Sequence, residues 1–443
     1  MKIFNSYTNK LEEFKPIHEK TVNMYVCGPT VYNYIHIGNA RVVVFFDVVR
    51  RFFEYLGYKV NFVSNFTDVD DKIIKRAFEE GISEKEVADK YIKAFLKDAE
   101  ALGSRTDYLK PQVTKYMDKI IKFTQDLIDS GASYLVDGDV YFDVSKIEKY
   151  GNLSNQNIND LISGARIDVN EKKKSPLDFT IWKKTESGIN WEAPFSTGRP
   201  GWHTECVCMI DDIFHEKIDI HGGGTDLLFP HHENEIAQSE ALHHHNIANF
   251  WMHSGRLNLE GEKMSKSIGN VIFVKDLPGD LLAYRLFLLQ TSYHSPINFS
   301  YTTYEANVKE WEKMKSSYKA LFLDLDINDG FDDVIETQEI LEIKEEFVNN
   351  LSDDFNTPNA ITMLQKLFKI INNMLRSKTE FGVKAYAYST LNTFLDILGL
   401  SIKVNRLTDE ERAIYKQWIE ARKNKNFDEA DKLRIKLTEK GIM

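Results

Sequence analysis

"YVCGPTVYNYIHIGN", residues 25–39, sets a cysteine, a Gly-Pro pair and a His-Ile-Gly-Asn turn between two apolar runs. The run before it, residues 23–27, is β-branched and aromatic and stops at Gly28-Pro29, so it reads as a buried strand. The run after it, residues 40–57, has the length of a helix despite its valines, with Gly57 just past its end. "KVNFVSN" at 59–65 reads as the next strand. Strand, crossover helix and strand form a βαβ unit, whose right-handed crossover makes the two strands parallel in one sheet. Such sheets bind ligands beyond the carboxyl ends of their strands, where Cys27 and Thr67 both fall.

Working outward, helices are expected at about 69–80, at 83–101 with Ser83 and Glu86 as a capping box, and at 112–130, closed by Gly131. "YLVDGDVYFDV" (134–144) reads as a hairpin around Asp137-Gly138, and "EKKKSPLDFTIWKK" as an inserted strand and loop. The α/β pattern returns in the strand "KIDIHGGG", the helix "HHENEIAQSEALHH", the strand "NFWMHSGRLNL" and the loop "EGEKMSKSIGN". From about residue 304 the chain reads as amphipathic helices rich in Lys and Glu. The expected fold is α/β, a doubly wound parallel-sheet (Rossmann-like) domain with an insertion, followed by an all-α bundle. The boundaries read as 1–115 and 196–303 for the two halves of the sheet domain and 116–195 for the insertion. The bundle reads as 304–400, with a terminal helical pair at 401–443.

Bulk properties narrow the class. At 443 residues, with 42% hydrophobic and 28% charged residues, the chain is a multidomain globular protein. It has no apolar run of about 18 residues, which excludes a helical membrane span. Three cysteines argue against a disulfide framework, and "KIFNSYTNKLEEF" lacks an apolar signal core, so a reducing, cytoplasmic setting is expected. A net charge of -11 gives no general attraction to polyanions, so nucleic-acid binding would need local basic faces.

Three constellations carry chemistry. His36-Ile37-Gly38-Asn39 stands at a strand-to-helix turn, where free N–H groups and the helix dipole suit phosphate oxygens. Gly38 lets a flat base approach the backbone, and His36 adds a hydrogen-bond donor, although most His-x-Gly turns are structural. Lys263-Met264-Ser265-Lys266-Ser267 places two lysines three apart, suited to stabilising a departing pyrophosphate; alone, it reads more readily as an exposed basic loop. Cys27, Cys206, His231 and Glu235 offer two thiolates, an imidazole and a carboxylate, with His231 and Glu235 four apart on one helical face; such donors suit zinc, but spread over about 200 residues they are a weak pattern by themselves. Among competing candidates, Cys208 would point away from Cys206 on a strand. His232 lacks the spacing to Glu235, and the 243–245 histidines read as a solvated helix end. Asp68, Asp70 and Asp71 read as a helix-start cluster.

The first two motifs together resemble the signature pair of the class I aminoacyl-tRNA synthetases. "MYVCGPTVYNYIHIGNAR", "NFTDVDDKIIKRA", "PLDFTIWK", "GRPGWHTECVCM", "DIHGGGTDLLFPHHENEIAQSEA" and "EGEKMSKSIGN" narrow the resemblance to the cysteinyl-tRNA synthetases, in that family's order and spacing. The resemblance implies one zinc ion on Cys27, Cys206, His231 and Glu235, which selects the thiolate of L-cysteine. It implies ATP with Mg²⁺ as substrate, with His36, Asn39, Lys263 and Lys266 on the triphosphate. Gly38, Gly224 and Asp226 would lie at the nucleoside, and Gly28, Thr30, Thr67 and Trp202 at the amino acid. The expected activity is that of a cysteine–tRNA ligase, acting through cysteinyl-adenylate on tRNA(Cys), as a monomer with no membrane partner. The alternative is a related ligase that passes cysteine to an amino sugar, which the long helical remainder disfavours. Two departures stand out: Asn39 where the family usually has histidine, and an end at Met443 where relatives usually add a short tail near the anticodon.

Overall fold

The computed structural model describes residues 1–155, 172–263 and 271–442. Its central sheet has four parallel strands in the order Ala248–Ser254, Ile218–Gly224, Thr21–Val26, Lys59–Ser64. Five of the six residues in Thr21–Val26 are buried, as are all seven in Ile218–Gly224, the near-continuous burial of a sheet covered on both faces. Beyond Lys59–Ser64, the backbone of 109–111 extends the edge, with Ser64 N–H donating to Leu109 O and Phe66 N–H to Pro111 O.

The crossover helix Ile37–Tyr55 lies on one face. Its Phe46 fills the space above Gly222, where an added Cβ would stand 2.2 Å from the ring. On the other face, residues of the helices Met117–Asp129, Glu205–Phe214 and Glu233–His243 share one core with Tyr25, Val63, Ile218 and Trp251. The doubly wound α/β architecture is therefore present as read. A buried ion cluster fastens the crossover helix: Arg285, fully buried, donates to Asp47 at 2.6 Å and to Leu102 O and Ser104, while Arg51 donates to Asp47 at 2.8 Å.

The insertion is an antiparallel sheet of Ser133–Val136, Asp139–Phe142, Phe179–Lys184 and Gly198–Pro200. Asp137 and Gly138 both have positive φ (54° and 93°), as a two-residue type I′ hairpin requires. Helix starts differ by a few residues from the sequence reading. Asp70 caps Asp71–Glu80 by accepting from Lys72 N–H, and Asp71 opens that helix. Residues 113–115 form a short turn ahead of Met117–Asp129.

One element is of a different type. "ECVCMIDDIF" is a helix, Glu205–Phe214, not the strand expected around Cys206 and Cys208. Its first six residues are all buried, so the apolar run carries neither a two-residue nor a helical period. The conclusion about Cys208 survives, because two residues on a helix turn the side chain by about 200°.

By its contacts the chain forms two units, one of Met1–Tyr304 with Leu351–Thr357, the other of Glu305–Asn350 with Pro358–Met443. The sequence reading assigned 351–357 to the bundle, but this segment packs with the first unit. Phe355 is fully buried against Phe45, Phe52 and Phe53, and Asp354 accepts from Phe4 N–H and the Tyr293 hydroxyl, both at 2.8 Å. The second unit is helical, with Phe347 and Phe394 stacked at 3.8 Å. Residues 401–443 do not stand apart within it, since Leu407, Tyr415, Leu437 and Ile442 share one core with Phe322 and Leu323. Among the described residues no helix is long and apolar enough to cross a membrane.

Candidate functional site

Cys27 ends its strand, its N–H bonded to Gly222 O. Cys206 lies in the first turn of Glu205–Phe214. His231 occupies the wide turn Leu228–His232, which runs directly into the helix that carries Glu235. Cys27 Sγ stands 3.6 Å from Cys206 Sγ, 3.5 Å from His231 Nε2 and 3.5 Å from Glu235 Oε1. His231 Nε2 is 3.8 Å from Cys206 Sγ and 3.0 Å from Glu235 Oε1. All four residues are buried and the cysteines are free. A tetrahedral zinc site with bonds of about 2.0–2.3 Å has ligand–ligand edges of about 3.3–3.8 Å, so this donor set fits one such ion.

Further donors crowd the same cage. His221 Nε2 lies 2.6 Å from Glu235 Oε2, and His232 Nε2 lies 3.3 Å from Cys27 Sγ. Cys27, His221, His232 and Glu235 thus form a second, overlapping group able to hold a metal. His232 Nδ1 continues to His253 Nε2, and His253 Nδ1 to Ser6 Oγ, both at 2.8 Å. The sequence reading rejected His232 on spacing alone. In space it reaches Cys27, whereas His231 reaches both sulfurs. His221, His253, Asn65 and Glu205 were missed; the only signal for His221 was its place in the strand that enters the glycines.

The charges are arranged around this cage. Burial opposes ionisation of Glu235, but the His221 and His231 rings outweigh it and hold the carboxyl well below its usual range. Burial pushes the Cys27 thiol up, and neighbouring Cys206 adds to the rise. For Cys206, burial is outweighed by hydrogen bonds with Cys27 and His231, which bring the thiol down to about 7. Burial lowers His203 to about 3, so its ring is neutral. His203 Nδ1 stands 3.1 Å from His231 Nδ1 and can accept its proton, which leaves His231 Nε2 for the cage. Trp202, 40% exposed, stacks on His231 with centroids 4.3 Å apart.

A cavity of about 490 Å³ opens beside the cage. Cys27, Gly28, Thr30, His36, Gly38, Asn39, Trp202, Gly224 and Asp226 line it. Thr67 does not; it is buried one layer behind, bridged by its backbone to Thr30. Gly28 has no room for a side chain, since a Cβ would stand 1.6 Å from Asn65 O, and its N–H donates to Asn65 Oδ1 at 2.8 Å. His36 is the N-cap of the crossover helix: its Nδ1 accepts from Asn39 N–H at 3.2 Å, and Asn39 Oδ1 accepts from His36 N–H at 3.4 Å. An accepting Nδ1 puts the ring proton on Nε2, so neutral His36 carries its donor there. Lys263 ends the short strand Glu262–Lys263, and Lys266 lies outside the described residues. The chain just after that loop is pinned to the histidine turn, with Ile37 N–H donating to Ile272 O and Val274 N–H to Ile35 O, both at 3.0 Å.

With this geometry in hand, comparison with known proteins places the chain. Residues 13–309 match the family model described as tRNA synthetases class I (C) catalytic domain, and residues 346–403 match the DALR domain. The cysteine–tRNA ligase of Acholeplasma laidlawii is 47% identical, with all of both chains covered. That of Staphylococcus carnosus is 46% identical over all of this chain and 97% of its own. Among solved structures, Mycobacterium tuberculosis methionyl-tRNA synthetase in complex with methionyl-adenylate is similar with a TM-score of 0.60 at 16% identity, covering 85% of this chain and 89% of that one. An Agrobacterium radiobacter LeuRS–tRNA–LeuAMS complex reaches 0.62 at 12% identity, covering 87% and 85%. Those two likenesses concern the fold; it is the match of whole sequence to whole sequence that makes this chain a member of the cysteine–tRNA ligase family, within the class I tRNA synthetases.

Proposed function

We propose that the protein joins L-cysteine to tRNA(Cys) in two steps that use ATP. A carboxylate oxygen of cysteine attacks the α-phosphorus in line, the bond to the β-phosphate oxygen breaks, and pyrophosphate leaves. A ribose hydroxyl at the tRNA end then attacks the carbonyl of cysteinyl-adenylate and AMP departs. The observation that carries this reading is the convergence of two sulfurs, an imidazole and a carboxylate on the cleft that begins at the His36 turn.

Cys27, Cys206, His231 and Glu235 would hold zinc, which when bound supplies a soft acceptor that favours a thiolate over the hydroxyl of serine. Trp202 covers His231 at the mouth of the cage and closes the amino-acid side. His36 offers its Nε2 proton to the triphosphate, and Gly38 leaves the helix start open to the base. Lys263 and Lys266 supply cationic charge to the pyrophosphate, with Mg²⁺ carried by ATP. Gly224 and Asp226 take the ribose end. Asn39 gives its side chain to the cap, so at that position it orders the turn and adds no charge. Positioning and electrostatics supply the rate, without a covalent nucleophile. The reading is of a monomer, and the free thiols suit the cytoplasm.

The test is cysteine-dependent exchange of pyrophosphate into ATP, run with cysteine and serine before and after chelation, followed by charging of tRNA. Exchange with cysteine, near silence with serine, and collapse of the preference on chelation are expected. An unchanged preference in metal-free protein would remove zinc from the reading. Exchange without tRNA charging would remove the acceptor.

A further inference from the structure

Glu205 belongs to none of the roles above, yet it sits beside Cys206 in the first turn of the helix Glu205–Phe214 and is 2% exposed. A buried carboxyl without a cationic partner is costly and calls for an explanation. Its recorded hydrogen-bond partner is the hydroxyl of Thr67. Thr67 in turn is welded to the segment that follows Cys27: its N–H donates to Pro29 O at 3.2 Å, and its carbonyl accepts from Val31 N–H at 3.1 Å. Asn65 completes the link, with Oδ1 accepting from Gly28 N–H at 2.8 Å and Nδ2 lying 3.4 Å from Thr67 Oγ1. Glu205 therefore joins the helix start that presents one sulfur to the strand ends that present the other.

We propose that Glu205 is a positioning residue of the metal centre: through Thr67 it clamps the chain around Cys27 against the helix of Cys206 and sets the 3.6 Å gap between the sulfurs. The proposal rests on the zinc reading of that cage. Glu205 does not contact the ion; its effect travels through the spacing of the two thiols. Outer partners of this kind change metal affinity by about 10–100-fold when removed.

The experiment uses the full chain and zinc or cobalt ions alone, so its outcome is separate from that of the exchange assay. Zinc affinity is measured by competition with a chromophoric chelator, and the cobalt-loaded protein is examined for its sulfur-to-metal absorption band. Glu205→Met, which has a similar length but no oxygen to accept from Thr67, and Thr67→Ala are expected to bind zinc about 10–100-fold more weakly and to shift the cobalt band. Their metal-free melting should stay close to that of the parent, and Thr67→Ser, which keeps the hydroxyl, should restore both readouts. The proposal is overturned if Glu205→Met binds zinc with unchanged affinity and spectrum. It is equally overturned if weaker binding comes with an equal loss of metal-free stability, because Glu205 would then serve folding alone.

Discussion

Gly28 leaves the least room for change. A methyl group there would overlap the Asn65 carbonyl, and a backbone oxygen has no rotamer by which to escape. Gly28→Ala is expected to cost at least about tenfold in cysteine-dependent exchange, about 1.4 kcal/mol, with the loss read as a fall in bound zinc as well as in rate. Asp98 gives a pH signature away from the cage. It is 6% exposed, its Oδ2 has no hydrogen-bond partner among the described residues, and burial pushes its carboxyl up to about 6. Because the folded value lies above the unfolded one, the stability it contributes is complete below about pH 4 and is lost as pH rises through about 6. Asp98→Asn should therefore be more stable than the parent at pH 8, keep part of that advantage at pH 5 and lose it below about pH 4, as read by urea midpoints. At this scale the sequence displayed donor types but not their neighbours. Cys27, Cys206, His231 and Glu235 were singled out together only through the family resemblance, since four donors spread over about 200 residues are a weak pattern by themselves. Glu205 and His221 could not be picked out, since an acid at a helix start and a histidine in a strand are ordinary until a fold sets them against a thiol.

The strand, turn and helix at 21–55 were readable because each local signal agreed: a β-branched run, a Gly-Pro stop, a capping turn and Gly57. The helix Glu205–Phe214 was not, because its first six residues are all buried and its half-buried ones come only in the last four, too few to mark a period. Residues 351–357 were misplaced for a related reason. The middle four, 353–356, lie between the helices Gln338–Ser352 and Thr357–Met374 and carry no periodic signal, and only the packing reveals that Phe355 fills a hole lined by Phe45, Phe52 and Phe53. Truncating a fully buried phenylalanine costs about 3–5 kcal/mol, so Phe355→Ala should lower the unfolding free energy of the first unit by that amount in urea. All three of its ring partners stand on the crossover helix that begins at the His36 turn, so the same variant should also weaken ATP-dependent exchange.

Over the whole molecule, a charge of -11 sets the protein against its own polyanionic partner. Attraction to tRNA must come from local lysines and arginines, and contacts of that kind release counterions and weaken steeply with salt. Raising salt from 50 to 200 mM is therefore expected to raise KM for tRNA in charging by at least about tenfold, while KM for cysteine in exchange changes little. Comparable sensitivity of the two would mean that the salt acts on the first unit itself. Trp202 supplies a way to watch that unit without any label. Its half-exposed indole stacks on the imidazole of His231, and an imidazole ring in such contact quenches indole emission when it is protonated. Any event that moves or charges that ring changes the light the protein gives back, so occupancy of the cage becomes a colour and an intensity that can be followed in real time.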